Sequence, residues 1–417
     1  MTRVLVTGLG AVSPFGNGVK AYWSGLSSGA CAIRPVTVID AAPFRSRIAA
    51  EVPDVPGASR RRSRADRLAL AAAHRPHDER GLFTLVGRQP RVVDGLAGGG
   101  MLEAEAWYWT VPPGAVVPSS IAALRAVLPA SHVDMLGHRL GLRGPRETVV
   151  TACSSGAVAL AEAAELIADG VVDVAVAGGV DAITRICFMG FNALKLLDPE
   201  PCRPFDRDRH GMSIGEGAAF VVLESEAHAR ARGARVYAEL AGHGMTTDAF
   251  HVTAPEPKGE GMVRAMRAAL AAAGVDAGAV GYANAHGTAT PQNDRIEAHA
   301  LREVFGEGGL LVSATKSMIG HTMAAAGSLE AVATILALVH DLVPPTANLN
   351  TPDPEVAFDC VPRVAREAAL EHAISNSFGF GGQNITLLFR RHGGLEGRPS
   401  PRRSAAPRQS RGAPRET

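Results

Sequence analysis

The chain has 417 residues, of which 46% are hydrophobic and 20% are charged, and its formal net charge is +1. This composition supports a large core in one or two domains, and it argues against nucleic acid or an anionic membrane as the main partner. The five cysteines are scattered without CxxC spacing, no apolar run reaches membrane-spanning length, and the N-terminus lacks a signal-peptide layout. We therefore expect a cytoplasmic protein without a disulfide framework, a zinc site or a membrane segment.

The first predicted element is a strand over residues 3–7, and glycines follow it at Gly8 and Gly10. This spacing partly matches a dinucleotide-binding loop, but the third glycine is absent and Pro14 stands where the helix would run. We therefore favour a tight turn from strand to loop over a nucleotide site. Residues 18–29 then predict a short helix.

The densest basic run in the body of the chain lies between residues 59 and 67. Its arginines are Arg60, Arg61, Arg62, Arg64 and Arg67. Such a run is either the solvated face of a helix or a dock for an acidic protein or a phosphate. The residues alone slightly favour the solvated face.

Residues 74–93 follow neither the helical nor the strand period, so no element is predicted there. The two segments that follow, 101–109 and 118–141, are patterned as helices. The second of them leads into a buried strand.

A buried strand, a tight turn and an alanine-rich helix are predicted over residues 149–167, and Cys153 stands at the turn. A helix N-terminus presents unpaired N–H groups and a positive dipole end, which both favour a thiolate over a thiol. The small neighbours of the cysteine leave room for a substrate carbonyl. Cys153 is therefore either a nucleophile or a buried structural cysteine, and this stretch alone does not separate the two.

The rest of the chain alternates between predicted strands and helices. The strands are 171–178, 218–224, 234–243, 280–285 and 310–314, and the helices are 185–197, 226–232, 259–273 and 323–340. Residues 149–160 and 311–322 share one plan, namely an apolar strand, small residues, a turn and a small-residue helix. This internal repeat predicts an α/β fold built of two similar halves, 1–230 and 231–392, with buried sheets. Residues 393–417 form a basic tail that we expect to be disordered.

Three further stretches carry chemistry. His286 ends a predicted buried strand, Lys316 and His321 flank a turn, and residues 376–384 form a glycine-rich loop. A single histidine is more often structural than catalytic. Strand ends from two equivalent halves converge, however, so Cys153 and both histidines could share one pocket.

Seven motifs now occur in a fixed order. They are Thr151-Ala-Cys-Ser-Ser-Gly156, Arg203-Pro-Phe-Asp206, Gly215-Glu-Gly217, His286-Gly-Thr-Ala-Thr290, Asn293-Asp294, Lys316-Ser-Met-Ile-Gly-His321 and Gly379-Phe-Gly-Gly382. Through them the chain resembles, from residue 1 to about 391, the β-ketoacyl synthases (condensing enzymes) of type II fatty acid and polyketide systems. The resemblance implies a thiolase-like fold whose two βα halves form a layered α-β-α-β-α sandwich. It also implies decarboxylative Claisen condensation of malonyl-loaded acyl carrier protein with a cysteine-bound acyl chain, without metal or organic cofactor.

The resemblance implies a role for each catalytic residue. Cys153 would carry the acyl group as a thioester, and His286 and His321 would stabilise the enolate through their N–H groups. Lys316 would order this network without transferring a proton. Backbone N–H groups of Cys153 and Phe380 would hold the second oxyanion.

Further residues match supporting positions of the family. Phe380 matches the gating phenylalanine, and Phe378 lies nearby in the sequence. The other matches are Asp248 and His251 of a mobile loop, Thr288 and Thr290 for substrate binding, and Glu297 and Glu330 as braces of the site. The resemblance also shifts the preference for the arginine run towards docking of the acidic carrier protein.

Two other functions on the same fold, a chain-length factor and a thiolase, are less consistent with the cysteines of this chain. A non-catalytic chain-length factor shares the fold but typically lacks the nucleophile, which Cys153 supplies here. A thiolase needs a second cysteine in Cys-x-Gly, whereas Cys360 precedes Val-Pro. Ser154-Ser155 and Gln383 favour a type II polyketide pathway, particularly a reducing one, over housekeeping fatty acid elongation. The resemblance implies a homodimer or a heterodimer with a chain-length factor.

The chain departs from the family pattern at three places. Residues 74–93 match poorly, either because this segment is remodelled or because a local frame shift has scrambled it. His210 stands where an aspartate is common, and the basic tail has no family counterpart.

Overall fold

A computed structural model describes residues 2–53, 55, 62–73, 91–96, 98–111 and 124–393. Arg60, Arg61, the segment 74–90 and the predicted tail beyond residue 393 lie outside the described residues. Residues 91–93, for which no element was predicted, begin a strand.

Strands and helices alternate along most of the described chain. The first part of the chain contains β1 (Val4–Ser13), β2 (Gly16–Asn17), α1 (Val19–Ser28), β3 (Arg34–Pro35), β4 (Ile48–Ala50), α2 (Arg64–Ala73), β5 (Arg91–Leu96), α3 (Met101–Tyr108), α4 (Pro129–Arg139), β6 (Arg146–Val149), α5 (Ser155–Ala168), β7 (Val174–Asp181), α6 (Arg185–Ala193), β8 (Ile214–Gly215), β9 (Gly217–Ser225) and α7 (Glu226–Ala231). The second part contains β10 (Ala238–Thr247), α8 (Glu260–Ala273), β11 (Val280–Asn284), α9 (Pro291–Phe305), β12 (Leu311–Ser313), α10 (Lys316–Ile319), α11 (Ala326–His340), β13 (Leu342–Val343), β14 (Arg366–Glu367), β15 (His372–Gly379) and β16 (Gln383–Arg391).

The main sheet contains two five-stranded arrays with the same internal order, and the short β2 pairs with β1 as its eleventh strand. The first array runs β6-β5-β7-β9-β1 and the second runs β12-β11-β15-β16-β10. In each array the first three strands are parallel and the last two are antiparallel to their neighbours. A short antiparallel pairing of β1 with β10 joins the arrays. This repetition supports the division into two similar halves near residue 230, which we retain as a proposal.

Helices cover both faces of each array. Helices α2 and α4 pack on the outer side of the first array, while α8 and α9 pack on the outer side of the second. Helices α5 and α11 contact each other and strands of both arrays, so they form the middle layer. The predicted layered α-β-α-β-α sandwich is confirmed, and the continuous apolar strands follow from burial on both faces.

The middle helix of the second half is unusually apolar. The expectation that no apolar run reaches membrane-spanning length is wrong here, because Met323–His340 is long and apolar enough to cross a membrane by length and composition, although 89% of that window is buried inside the protein. A helix enclosed between two sheets is apolar all round for the same reason as a membrane span. Its composition is therefore accounted for by the core.

The predicted turn after residue 7 is wrong. β1 continues to Ser13, so Gly8 and Gly10 lie inside the strand. A Cβ on Gly10 would lie 2.0 Å from the backbone oxygen of Ala72 on α2. Gly10 therefore permits close contact between helix and strand rather than a turn.

Other predicted elements exist with shifted ends. Of the helix predicted over 118–141, residues 118–123 lie outside the described residues, 124–127 form a 3-10 turn, and α4 runs from Pro129 to Arg139. The helix predicted over 185–197 ends at Ala193, and the strand predicted over 234–243 runs from Ala238 to Thr247.

Candidate active site

Cys153 lies in a short 3-10 turn directly before α5 and is almost fully buried. The hydroxyl of Ser154 donates to the Thr151 carbonyl oxygen at 2.7 Å. The Ser155 hydroxyl donates to the Ala152 carbonyl oxygen at 2.7 Å and accepts the Thr151 N–H at 2.9 Å. The two serines thus close the turn that presents the thiol.

The nucleophile turn packs on two glycines of the sheet that leave no space for a side chain. A Cβ on Gly95 of β5 would lie 2.5 Å from the Gly156 nitrogen. A Cβ on Gly179 of β7 would lie 2.7 Å from the Ala324 carbonyl oxygen and 3.1 Å from the Gly156 Cα. The starts of α5 and α11 therefore press directly on the backbone of the sheet.

Replacing Gly95 by alanine should displace the start of α5 and with it Cys153. We expect a destabilisation of about 1–3 kcal/mol from overpacking and a larger loss of cysteine acylation, measured by chemical denaturation and intact-mass spectrometry. Gly190→Ala is the matched control, because Gly190 lies in α6 with no described atom within 4 Å of its Cβ position. Equal stability and acylation in both variants would contradict the prediction.

The environment of Cys153 favours the protonated thiol over the thiolate. Burial raises the pKa of its thiol to about 11, while the charge of Lys316 and the backbone N–H of Phe380 lower it only in part. The sequence argument from the helix N-terminus therefore overestimated thiolate stabilisation, since desolvation is the larger effect. A pKa in this range favours the thiol over the thiolate at neutral pH.

The His321 ring is fixed by the turn that follows it. Its Nδ1 accepts the Met323 N–H at 3.2 Å, so the ring proton resides on Nε2. Nε2 is buried and has no hydrogen-bond partner among the described residues, although His321 lines the same pocket as Cys153. This N–H is available to an oxygen of a bound molecule.

His286 is fixed in the same tautomer by a buried cation. Lys316 Nζ lies 3.3 Å from His286 Nδ1 and is ion-paired with Glu330. Glu297 accepts the N–H groups of His286 and Gly287, both at 2.8 Å. The carboxylate braces the backbone while the lysine donates to the ring.

Both histidines are neutral donors. Burial, together with the positive charge of Lys316, holds the pKa of each well below its usual range. Their rings meet edge to face with centroids 5.5 Å apart. Two neutral Nε2–H groups that line one pocket with a thiol form an oxyanion-stabilising arrangement.

Phe378 lies in β15 and Phe380 in the short turn that follows it, so the predicted glycine-rich loop 376–384 is confined to residues 380–382. The Phe378 ring packs 5.7 Å from His286, and the Phe380 ring packs 5.8 Å from Phe191 of α6. Both phenylalanines line the pocket with Cys153. Gating by Phe380 stays a prediction.

Of the two predicted loop residues, the structure brings one to the pocket. Asp248 lines it and accepts from the Asn384 amide at 2.6 Å and from the Glu256 N–H at 3.1 Å. His251 is exposed, and its Nδ1 accepts the N–H groups of Thr253 and Ala254. It shapes its own loop and does not line the pocket.

Thr288 and Thr290 line the pocket, with their hydroxyl oxygens 2.9 Å apart. Asp294 accepts the N–H groups of Ala289 at 3.1 Å and Phe205 at 2.8 Å. It ties this loop to the Arg203-Pro-Phe-Asp206 motif, which sequence analysis had left without a role.

Arg64 does not belong to the predicted docking patch, because its side chain points into the protein and pairs with Glu216. Its guanidinium is ion-paired with the fully buried Glu216 and donates to the Val52 carbonyl oxygen at 3.0 Å. The Gly215-Glu-Gly217 motif therefore has a structural role, in which Glu216 holds Arg64 and the backbone of Val52. Of the described arginines in the run, Arg62 and Arg67 are half-buried, and docking there stays a prediction.

The proposed equivalence of the two turns needs correction. Ala152 and Met323 both have positive φ, 51° and 49°, and each opens a 3-10 turn that runs into a middle-layer helix. The counterpart of Cys153 is therefore Ala324, not a residue at Lys316–His321. The second half inserts α10 before this turn, and the insertion carries both Lys316 and His321.

Sequence analysis missed several pocket residues. They are Phe191, Leu196, Met212, Met262 and Asn384. The apolar members follow no pattern that separates pocket from core, since both are buried. Asn384 is the last residue of the predicted glycine-rich loop 376–384, but it was given no role of its own.

Two family models match the chain, "Beta-ketoacyl synthase, N-terminal domain" over residues 1–229 and "Beta-ketoacyl synthase, C-terminal domain" over residues 237–350. Among curated proteins, 3-oxoacyl-[acyl-carrier-protein] synthase 2 of Synechocystis sp. is 38% identical, over 94% of this chain and 98% of the relative. The Rhizobium meliloti protein of the same name is 39% identical, over 94% of this chain and 100% of the relative.

Solved structures are similar throughout. The ishigamide ketosynthase/chain length factor aligns with a TM-score of 0.88 and 36% identity, over 94% of this chain and 100% of that one. A ketosynthase bound to the hexaketide, in complex with its type II PKS acyl-carrier protein, aligns with a TM-score of 0.85 and 30% identity. The alignment covers 94% of this chain and 99% of that one.

Proposed function

The chain belongs to the β-ketoacyl synthase family and is an acyltransferase condensing enzyme, and from this premise we propose that it elongates acyl chains of a type II, reducing polyketide pathway. Its substrates are acyl- and malonyl-loaded acyl carrier proteins. The observation that carries the mechanism is the convergence of the Cys153 thiol with two neutral Nε2–H donors in one pocket.

The first step transfers the acyl group. Cys153 Sγ attacks the carrier thioester carbonyl, and its proton passes to the departing carrier thiolate. The developing oxyanion is stabilised by the N–H groups of Cys153 and Phe380. The pKa of about 11 means that this proton moves during the attack.

The second step breaks the malonyl C–C bond and releases CO₂. The electron pair remains as an enolate, whose oxygen accepts the Nε2–H groups of His286 and His321. Because both rings are neutral, they stabilise the enolate without protonating its carbon. Lys316 keeps the Nδ1 of His286 occupied.

The third step forms the new C–C bond. The enolate carbon attacks the Cys153 thioester, and the tetrahedral oxygen again occupies the site formed by the N–H groups of Cys153 and Phe380. Collapse expels the Cys153 thiolate, which takes up one proton from solvent; this replaces the proton that left with the carrier thiol in the first step. Thr288 and Thr290 at the pocket mouth bind the carrier arm.

The pathway assignment rests on Ser154-Ser155 and Gln383. Housekeeping fatty acid elongation is the alternative, and the curated relatives named above favour it. A chain-length factor without activity is disfavoured, because Cys153, His286 and His321 are all present.

We propose that the enzyme functions as a dimer, either with itself or with a chain-length factor. Among the described strands, β6 ends the first array and pairs only with β5. Exposed Leu128 and Val150 flank it. An unpaired strand edge beside apolar side chains favours a partner strand.

The test compares acyl carrier thioesters of matched length, saturated in one series and conjugated polyene in the other, by intact-mass spectrometry. Malonyl carrier protein is then added, and products are measured with and without a chain-length factor. We expect cysteine acylation and two-carbon extension of the polyene series in preference to the saturated series. Preferential extension of the saturated series would instead establish fatty acid elongation, and no extension of either would contradict the proposed function.

A further inference from the structure

Asp181 is a buried carboxylate outside the pocket that no step above uses. It ends β7 with no exposed surface. Its Oδ1 accepts the N–H groups of Gly98 at 2.9 Å and of Gly99 and Ala182 at 3.2 Å. Its Oδ2 accepts the N–H of Ala324 at 3.2 Å. One side chain thus ties the first half to the turn that opens α11.

The N–H groups of Met323 and Ala324 are consecutive, and each is bound by a different side chain. The Met323 N–H donates to His321 Nδ1, and the Ala324 N–H donates to Asp181. Met323 has a φ of 49°, a conformation that a residue with a side chain adopts only when its surroundings impose it. Asp181 supplies one of the contacts that hold the turn in place.

We propose that Asp181 is a positioning residue for His321, acting through the backbone of the turn between them. The inference rests on the proposed function, in which His321 donates Nε2–H to the enolate. If the turn moves, Nδ1 loses its donor and the proton can transfer to Nδ1, which leaves Nε2 as an acceptor facing the oxyanion. Acyl transfer to Cys153 does not use this N–H.

The test is Asp181→Asn, assayed separately for the two half-reactions, namely acylation of Cys153 and decarboxylation of malonyl carrier protein. The amide cannot accept on both sides, so in either orientation an NH₂ group faces backbone donors. We expect decarboxylation of malonyl carrier protein to fall by roughly 10–100-fold, as for other residues that orient a catalytic group. Acylation of Cys153 should change far less. Should this variant not fold, Asp181→Ser fits the same space, offers no second acceptor and carries the same expectation.

Asp94→Asn is the matched control. Asp94 lies on the neighbouring strand β5, is fully buried, and neither of its oxygens has a hydrogen-bond partner within the described part of the chain. The control replaces a nearby buried carboxyl group without touching the Ala324 contact, so both half-reactions should survive. Asp181→Glu keeps the carboxylate and should recover part of the decarboxylation.

Three results would overturn the inference. They are normal decarboxylation in Asp181→Asn, an equal loss of both half-reactions in parallel with the melting temperature, and an equal loss of decarboxylation in Asp94→Asn. His321→Ala is measured alongside. If that variant decarboxylates normally, the proposed function itself fails, which is a different result from a failure at Asp181.

Discussion

Cys153→Ala will abolish acyl transfer and condensation while the enzyme still decarboxylates malonyl carrier protein. The reason is geometric, because the two Nε2–H donors are held by Lys316 and by the Met323 N–H, and neither contact involves the sulfur. Removing the sulfur leaves no atom to carry the acyl chain. We expect condensation to fall by at least about a thousandfold.

Intact-mass spectrometry measures the first half-reaction, and release of labelled CO₂ measures the second. His286→Ala is the converse variant, since it should retain acylation of Cys153 and lose decarboxylation. Both variants are compared with wild type in melting temperature. Residual condensation in Cys153→Ala, or loss of acylation in His286→Ala with an intact fold, would contradict the assignment of separate roles.

The layer order of the fold could be predicted because burial on both faces leaves a strong sequence pattern. Near-continuous apolar strands alternate with alanine-rich helices, and this alone indicates enclosed sheets. The repeat between the halves was also visible. The alignment of the two repeats could not be predicted, because α10 is inserted before the second turn. Cys153 therefore corresponds to Ala324 in the second half.

Glycines were the least predictable elements. Gly8 and Gly10 were interpreted as a turn, but Gly10 lies in a strand to let α2 approach. Gly95 and Gly179 were assigned no role from the sequence, although a Cβ at either would meet backbone atoms of α5 or of the turn before α11. Such contacts join residues distant in the sequence, and local patterns do not contain them.

Charged residues were misjudged in the same way. The arginine run was interpreted as one exposed surface, but Arg64 forms an ion pair with the buried Glu216. Asp181 ends a strand and was not distinguished from a solvent-exposed acid. Motif order located the pocket, whereas the bracing residues around it became evident only from their contacts.

Lys316→Met will both destabilise the protein and inactivate it. The lysine side chain is buried, ion-paired with Glu330 and 3.3 Å from His286 Nδ1. Breaking a buried ion pair from one side leaves the other charge uncompensated, which costs about 3–5 kcal/mol. Decarboxylation is lost as well, because nothing then donates to His286 Nδ1 and the ring proton is free to move there.

The loss of stability will depend on pH. The pKa of Glu330 is already raised to about 7 by burial, and without the lysine it rises further. A carboxyl group whose pKa is higher in the folded state than in the unfolded state, here above 4.5, favours folding at low pH and loses that contribution as pH rises through the folded pKa. Lys316→Met should therefore be more destabilised relative to wild type at about pH 8 than at about pH 5.5, measured by urea denaturation.

The double variant Lys316→Met/Glu330→Gln separates the two effects. Removing the uncompensated carboxylate should restore much of the stability and abolish the added pH dependence. It should not restore decarboxylation, since His286 still lacks its donor. If activity returned together with stability, Lys316 would act only as a counter-ion for Glu330; if neither returned, the ion pair would not be the source of the instability.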